Sequence, residues 1–103
     1  MAESSIIVRY ELKADRLDEH VGLIEAVFAH LNASAPPGVH YAAFREADGF
    51  SFTHVGHYDS DDARAAAGEN DAFAAFTAEI ADRCVVPPAA APQTVVGSYG
   101  AFA

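Results

Sequence analysis

A single cysteine, Cys84, is all the thiol chemistry this chain of 103 residues holds. It excludes an internal disulfide and leans toward a reducing, cytoplasmic setting. Basic residues are almost as scarce: 6 Lys and Arg stand against 15 Asp and Glu, a net charge of -9. No basic patch is available to neutralise phosphates, so nucleic acid is excluded as a partner and an anionic membrane surface is a poor dock. No apolar run approaches the roughly 20 residues of a spanning helix. Met1 to Ser5 is polar and acidic, without the basic and apolar regions of a secretory signal. Paired cysteines, Gly-rich phosphate loops and G-x-S-x-G elbows do not occur. What is present is globular: 51% of residues are apolar and 20% charged. Residues 1–103 fit one domain, which at this size buries roughly 60–70% of its unfolded surface.

The order of elements is legible. Ile6, Val8, Tyr10 and Leu12 alternate along a β-branched and aromatic strand over 6–12. Asp15 is the expected N-cap of a helix whose apolar stripe is Leu17, Val21, Ile24, Phe28 and Leu31, stopped by Asn32, Ser34 and Pro36-Pro37-Gly38. Val39 to Ala47 and Phe50 to Tyr58 read as strands joined by Asp48-Gly49, the signature of a two-residue type I′ turn. Asp59-Ser60-Asp61-Asp62 opens an alanine-rich helical stretch with a break at Gly68. The helix restarts at Asn70 or Asp71 and carries Phe73, Phe76, Ile80 and Cys84 on one face. Val85 to Pro92, with three prolines, reads as an ordered crossing loop, and Gln93 to Tyr99 as the last strand. The order βαββαβ predicts an α+β, ferredoxin-like fold with both helices on one face of a four-stranded antiparallel sheet. Ile7, Ala42, Phe44 and Val55 make the other face apolar as well. That face needs a cover, most simply a second copy of the chain, with a monomer as the alternative.

Hairpin register sorts the histidines. With Asp48-Gly49 as the turn, Arg45 faces Phe52, Ala43 faces His54, and His40 faces His57. His54 and His57, three apart on a strand, point to opposite faces, so the H-x-x-H spacing is no metal motif here. His40 and His57 supply two imidazoles, and of Arg9 and Glu11 on the first strand only Glu11 could add a ligand. Zinc asks for more, so no metal and no cofactor are expected. Tyr41, Phe52, His54 and Tyr58 fall under the helices, where they would meet Phe28, Phe73 and Phe76. That is an apolar setting with few polar groups, suited to a small apolar or aromatic molecule. His54 and Tyr58 are the candidate catalytic residues; Tyr41, Phe28, Phe52, Phe73 and Phe76 are the candidate binding residues. The alternative for His54 is a core histidine bonded to a backbone carbonyl. Cys84 reads as a packed thiol.

With these pieces in view, residues 6–99 resemble the antibiotic biosynthesis monooxygenase-like family of dimeric α+β barrels. The matching pieces are Pro37-Gly38-Val39-His40-Tyr41, the strand from Phe52 to Tyr58 with Asp59-Ser60, and Asn70-Asp71-Ala72-Phe73. The resemblance implies a homodimer whose sheets form a barrel, and a cofactor-independent monooxygenase or isomerase acting on a small aromatic or polyketide-like molecule. Within it, His54 would be the general base, with Tyr58 and Tyr41 orienting the substrate. Tyr58 stands where the family commonly has tryptophan, Ala72 where histidine is common, and Val8 where the haem-degrading branch has asparagine. The expected activity is therefore not haem degradation. A non-catalytic ligand-binding or stress-associated module is the alternative.

Overall fold

The computed structural model describes residues 3–101. Strands β1 (Ser4–Leu12), β2 (Val39–Arg45), β3 (Ser51–Tyr58) and β4 (Cys84–Gln93) form one antiparallel sheet in the order β2-β3-β1-β4. Helices α1 (Leu17–Ser34), α2 (Asp61–Gly68) and α3 (Asp71–Thr77) complete the βαββαβ order of a ferredoxin-like α+β fold. The core between sheet and helices holds Tyr10, Leu12, Val27, Phe52, Phe76 and Cys84, flanked by Val8, Leu17, Ile24, Leu31 and Phe73.

Register decides which side chains meet, and here it follows the expected pairing. Arg45 faces Phe52, Ala43 faces His54 and His40 faces His57. Across the other seam Val8 faces His54, Tyr10 faces Phe52 and Ser5 faces His57. The turn that sets this register differs from the expected one. A type I′ turn needs positive φ at both central residues. Only Gly49 has it, at 84°, while Asp48 does not. The loop instead spans four residues, closed by Glu46 N–H on Ser51 O (2.8 Å) and Gly49 N–H on Glu46 O (3.0 Å). The Asp48 carboxylate accepts from the Phe50 and Ser51 backbone N–H groups and the Ser51 hydroxyl. Four residues and two give the same register because both loops are symmetric about one midpoint.

Three boundary expectations are corrected. Asp15 does not cap α1: it lies in a 3₁₀ turn over Ala14–Arg16, and no side chain caps Leu17. The second helical stretch breaks after Gly68 and restarts after Asn70, as expected, giving two helices N-capped by Ser60 (on Ala63 N–H, 3.1 Å) and Asn70 (on Phe73 N–H), but its end differs. It ends at Thr77, so Ile80 falls in a 3₁₀ turn and Cys84 begins β4 rather than completing a helical stripe. Finally, the proline-rich segment expected as a loop is β4 itself, and Thr94 to Tyr99 is not a strand. Proline lacks the ladder N–H, which bars it from central strands but not from an edge. β4 pairs on one side only, and of its two register shifts against β1 the one between Arg9 and Glu11 absorbs Pro87 and Pro88.

Both sheet faces carry apolar residues, as expected. Away from the helices lies a band of Ile7, Val55, Ala42 and Phe44, with Phe44 56% exposed. One end of that band carries Arg9, Thr53 and Glu46, joined by hydrogen bonds; the other carries Ser5, His57 and His40.

Gly56 lets Tyr58 lie back across its own strand. A Cβ there would sit 2.6 Å from the Tyr58 hydroxyl and 3.1 Å from its ring. Gly56→Ala should therefore lower stability by about 1–3 kcal/mol in urea titration. The same change in a Tyr58→Ala background should cost much less; equal costs would show that Tyr58 is not what the methyl meets.

Candidate functional site

β1 and β3 place Tyr10 and His54 on the helix side, α1 supplies His20, and the 3₁₀ turn before β4 supplies Arg83. The four, with Tyr41 from β2, form one continuous series of hydrogen bonds. Arg83 Nε donates to His20 Nδ1 (3.1 Å), His20 Nε2 meets the Tyr10 hydroxyl (2.6 Å), that hydroxyl meets His54 Nε2 (2.6 Å), and His54 Nδ1 meets the Tyr41 hydroxyl (2.7 Å). His20, Tyr10, His54 and Arg83 are 0–3% exposed. Arg83 Nη1 and Nη2 each donate to a backbone carbonyl, of Ala78 and Phe76 respectively.

Proton bookkeeping gives the series a direction. A guanidinium can only donate, so His20 Nδ1 must accept and the His20 proton sits on Nε2. His20 Nε2–H then donates to Tyr10, whose own hydrogen goes to His54 Nε2. His54 therefore carries its proton on Nδ1 and donates it to Tyr41. The Tyr41 hydrogen is the one left without an acceptor inside the series. Every donor points from the arginine toward Tyr41.

Electrostatics agree with that assignment. Burial lowers the His20 pKa from 6.5 to about 4, helped by the Arg83 charge and by His54; burial alone brings His54 to about 4. Both rings are neutral at pH 7, as one donor and one acceptor each require. Burial also raises the Tyr10 and Tyr41 hydroxyls above their ordinary value, so both keep their hydrogens.

The space around the series is tightly filled. The gap bounded by Ile24, Val27, Phe28, Tyr41, His54 and Phe76 has no room for a water molecule. A second, bounded by Val27, Tyr41, Tyr58, Asn70 and Phe73 among others, holds about 10 Å³, one water at most. Tyr41 and Phe28 also border an open groove of about 310 Å³ with Leu31, Asn32, Pro36 and Val39. Tyr41 thus belongs both to the buried series and to the lining of this groove.

The candidates picked from the sequence divide accordingly. Phe76 stacks on His54 (ring centroids 5.3 Å apart), Phe73 packs on Phe76 (6.2 Å), and Phe28 lies against Tyr41 (5.6 Å). Phe52 stacks on Tyr10 at 5.7 Å within the core. Tyr58 borders the small gap beside Tyr41. His54 and His57 lie on opposite sheet faces, and the partners of His54 are two tyrosine hydroxyls rather than a backbone carbonyl. His20 and Arg83 escaped the sequence reading. His20 had left a signal: it sits three residues after Leu17 and four before Ile24, on the apolar stripe itself. Arg83 left none.

The sequence matches no family model and no curated protein. Solved structures do match. Rv0793 from Mycobacterium tuberculosis superposes with a TM-score of 0.78 at 17% identity, over 94% of this chain and 98% of that one. An antibiotic biosynthesis monooxygenase gives 0.74 at 12% identity, over 91% of this chain and 99% of its own. NE2512, a protein of unknown function from Nitrosomonas europaea, gives 0.73 at 18% identity, over 96% and 94%. At these identities the likeness is one of fold, and it spans nearly the whole of each chain.

The two neutral histidines make stability pH-dependent. A depressed folded-state pKa contributes stability that is complete above the unfolded value of 6.5 and is lost as pH falls through about 4. At most about 3 kcal/mol per histidine is at stake. Urea midpoints measured from pH 7 to pH 4 should fall steeply, and His20→Gln should flatten the curve. An unchanged slope in that variant would contradict the assignment.

Proposed function

We propose that this protein is a homodimeric α+β barrel that binds a small aromatic or polyketide-like molecule in the groove beside Tyr41, with the Tyr41 hydroxyl donating to an oxygen of the ligand. The observation that carries this reading is the directed series from Arg83 to Tyr41. It spends every internal donor and leaves one hydrogen at the residue that borders the 310 Å³ groove. Donation from His54 makes the Tyr41 hydroxyl a stronger hydrogen-bond donor toward a ligand, because hydrogen bonds in a chain polarise one another, while burial keeps the proton on its oxygen. Phe28 and Leu31 supply apolar wall. In this reading His54 acts through Tyr41 as a positioning residue, and Tyr58 shapes the gap next to it.

The chemistry such a donor serves is stabilisation of an enol or enolate oxygen, the requirement of cofactor-independent monooxygenation or isomerisation. The filled space beside His54 favours a second reading, a barrel that holds its ligand without transforming it. The fold shared with an antibiotic biosynthesis monooxygenase supports the first.

The second copy is proposed to cover the face bearing Ile7, Ala42, Phe44 and Val55. The exposure of Phe44 and the polar groups at both ends of that band fit an interface with an apolar centre and a polar rim. Light scattering at micromolar concentration should give about twice the 10.9 kDa chain mass; a monomer would end this part of the proposal.

The site itself is tested with 1-tetralone, an aromatic ketone, against naphthalene. Tyr41→Phe should weaken tetralone binding by about 5–15-fold, the value of one hydrogen bond near 1–1.5 kcal/mol, and leave naphthalene binding unchanged. Equal effects on both probes would remove Tyr41 as the donor. Oxygen uptake with 1,5-dihydroxynaphthalene, giving the hydroxyquinone and water, separates the readings. Uptake above the buffer rate that falls in Tyr41→Phe supports the oxygenase, whereas binding without uptake supports the non-catalytic module.

A further inference from the structure

On the sheet face away from the helices, three ligand-type side chains converge. The register that pairs Ser4 with Tyr58 brings Glu3 opposite Asp59, and Ser5 pairs with His57. One potential ligand atom each from Glu3, His57 and Asp59 lies within 4.8 Å of the others. His57 Nε2 is 3.6 Å from Glu3 Oε2 and 3.7 Å from Asp59 Oδ1. Tetrahedral ligands about 2.0–2.1 Å from a zinc ion are about 3.3 Å apart, so each imidazole–carboxylate distance needs to shorten by a few tenths of an ångström, while the two exposed carboxylates, within 4.8 Å of each other, draw together by at most about 1.5 Å.

Two surrounding features are those of a metal site rather than a chance surface cluster. His57 is only 2% exposed, and its Nδ1 meets the Ser5 hydroxyl at 2.6 Å. With Nδ1–H donating to Ser5 Oγ, Nε2 lies on the side of the two carboxylates, the way an outer hydrogen bond orients a ligating imidazole. His40 Nε2 lies 3.2 Å from Asp59 Oδ1, and Asp59 is tied at its backbone N–H to Gly38 O (2.9 Å). Beside the trio, Glu3, Ser5, His57, Gln93 and Thr94 border a cavity of about 210 Å³.

We propose that Glu3, His57 and Asp59 bind a divalent first-row transition metal of the zinc class, with a coordination position open to that cavity. One imidazole and two carboxylates suit such an ion, and two negative charges balance its own. The chain's net charge of -9 favours cation approach. Ser5 is a positioning residue, holding His57. The site shares no residue with the Tyr41 series and lies on the opposite sheet face, so either can fail without the other.

The test is titration of EDTA-treated protein with Zn²⁺ by calorimetry and with Co²⁺ by visible absorption. One ion per chain should bind, with a Co²⁺ spectrum of low coordination number. Glu3→Gln, at an exposed position that does not threaten folding, should weaken Zn²⁺ binding at least about tenfold, as should His57→Ala and Asp59→Asn. Ser5→Ala should cost about tenfold through the lost outer hydrogen bond. His30→Ala, on the exposed side of α1, should change nothing. No binding by the wild type at millimolar metal, or binding equally strong in Glu3→Gln, overturns the site.

Discussion

Arg83 is a buried cation whose hydrogen-bond partners are the Phe76 and Ala78 carbonyls and one imidazole nitrogen. An isolated charge in such a place is costly unless hydrogen-bonded throughout. Much of the interior follows from that constraint. The guanidinium fixes the tautomer of His20, His20 fixes the donor role of Tyr10, and Tyr10 fixes His54. A core that could have been wholly aliphatic instead contains a polar thread in which both imidazoles and the Tyr10 hydroxyl are fully partnered and one hydrogen is left over at Tyr41. Because low dielectric makes an unmet donor as costly as a met one is strong, the thread specifies a single arrangement of β1, β2, β3, α1 and the turn before β4.

The same thread is packed inside an aromatic sleeve. Phe52 stacks on Tyr10, Phe76 lies over His54, and His20 meets both Phe52 and Phe76 edge-on or tilted at 5.2–5.4 Å. The sleeve excludes water, and exclusion of water is what depresses both histidines to about pKa 4. Stability and chemical character therefore have one origin. The outer sheet face is built differently. Its histidines, His40 and His57, sit among carboxylates and hydroxyls at the end of an apolar band. One strand, β3, thus serves two chemical environments through the alternation of His54 and His57.

How much of this was legible follows from the range of each interaction. Alternation along β1 and β3, the hairpin register and the opposition of His54 to His57 depend on residues close in sequence or on a period of two, and all were readable. Asp48-Gly49 signals a two-residue turn where the structure has a four-residue loop, yet the shared midpoint preserves the register. β4 was missed because proline is a poor strand former on average, while the cost of proline depends on which side of the strand is paired. Whether Cys84 belongs to a helix or a strand was likewise undecidable from apolar spacing alone, because the same residue suits either pattern.

The sequence by itself determined the element order, the two apolar sheet faces and the sorting of side chains between them, since these rest on local periodicity and turn symmetry. Only the tertiary structure decided that β4 is an edge, that His20 and Arg83 join Tyr10, His54 and Tyr41, and that Glu3 and Asp59 meet His57. Each of those arrangements joins separate elements with no shared period between them. Glu3 and Asp59 lie just at or beyond the ends of their strands, where alternation stops predicting direction. A hydrogen bond constrains two atoms to about 3 Å but leaves no trace in the spacing of distant residues. The polar thread is therefore invisible in one dimension, although it is what makes the core unique in three.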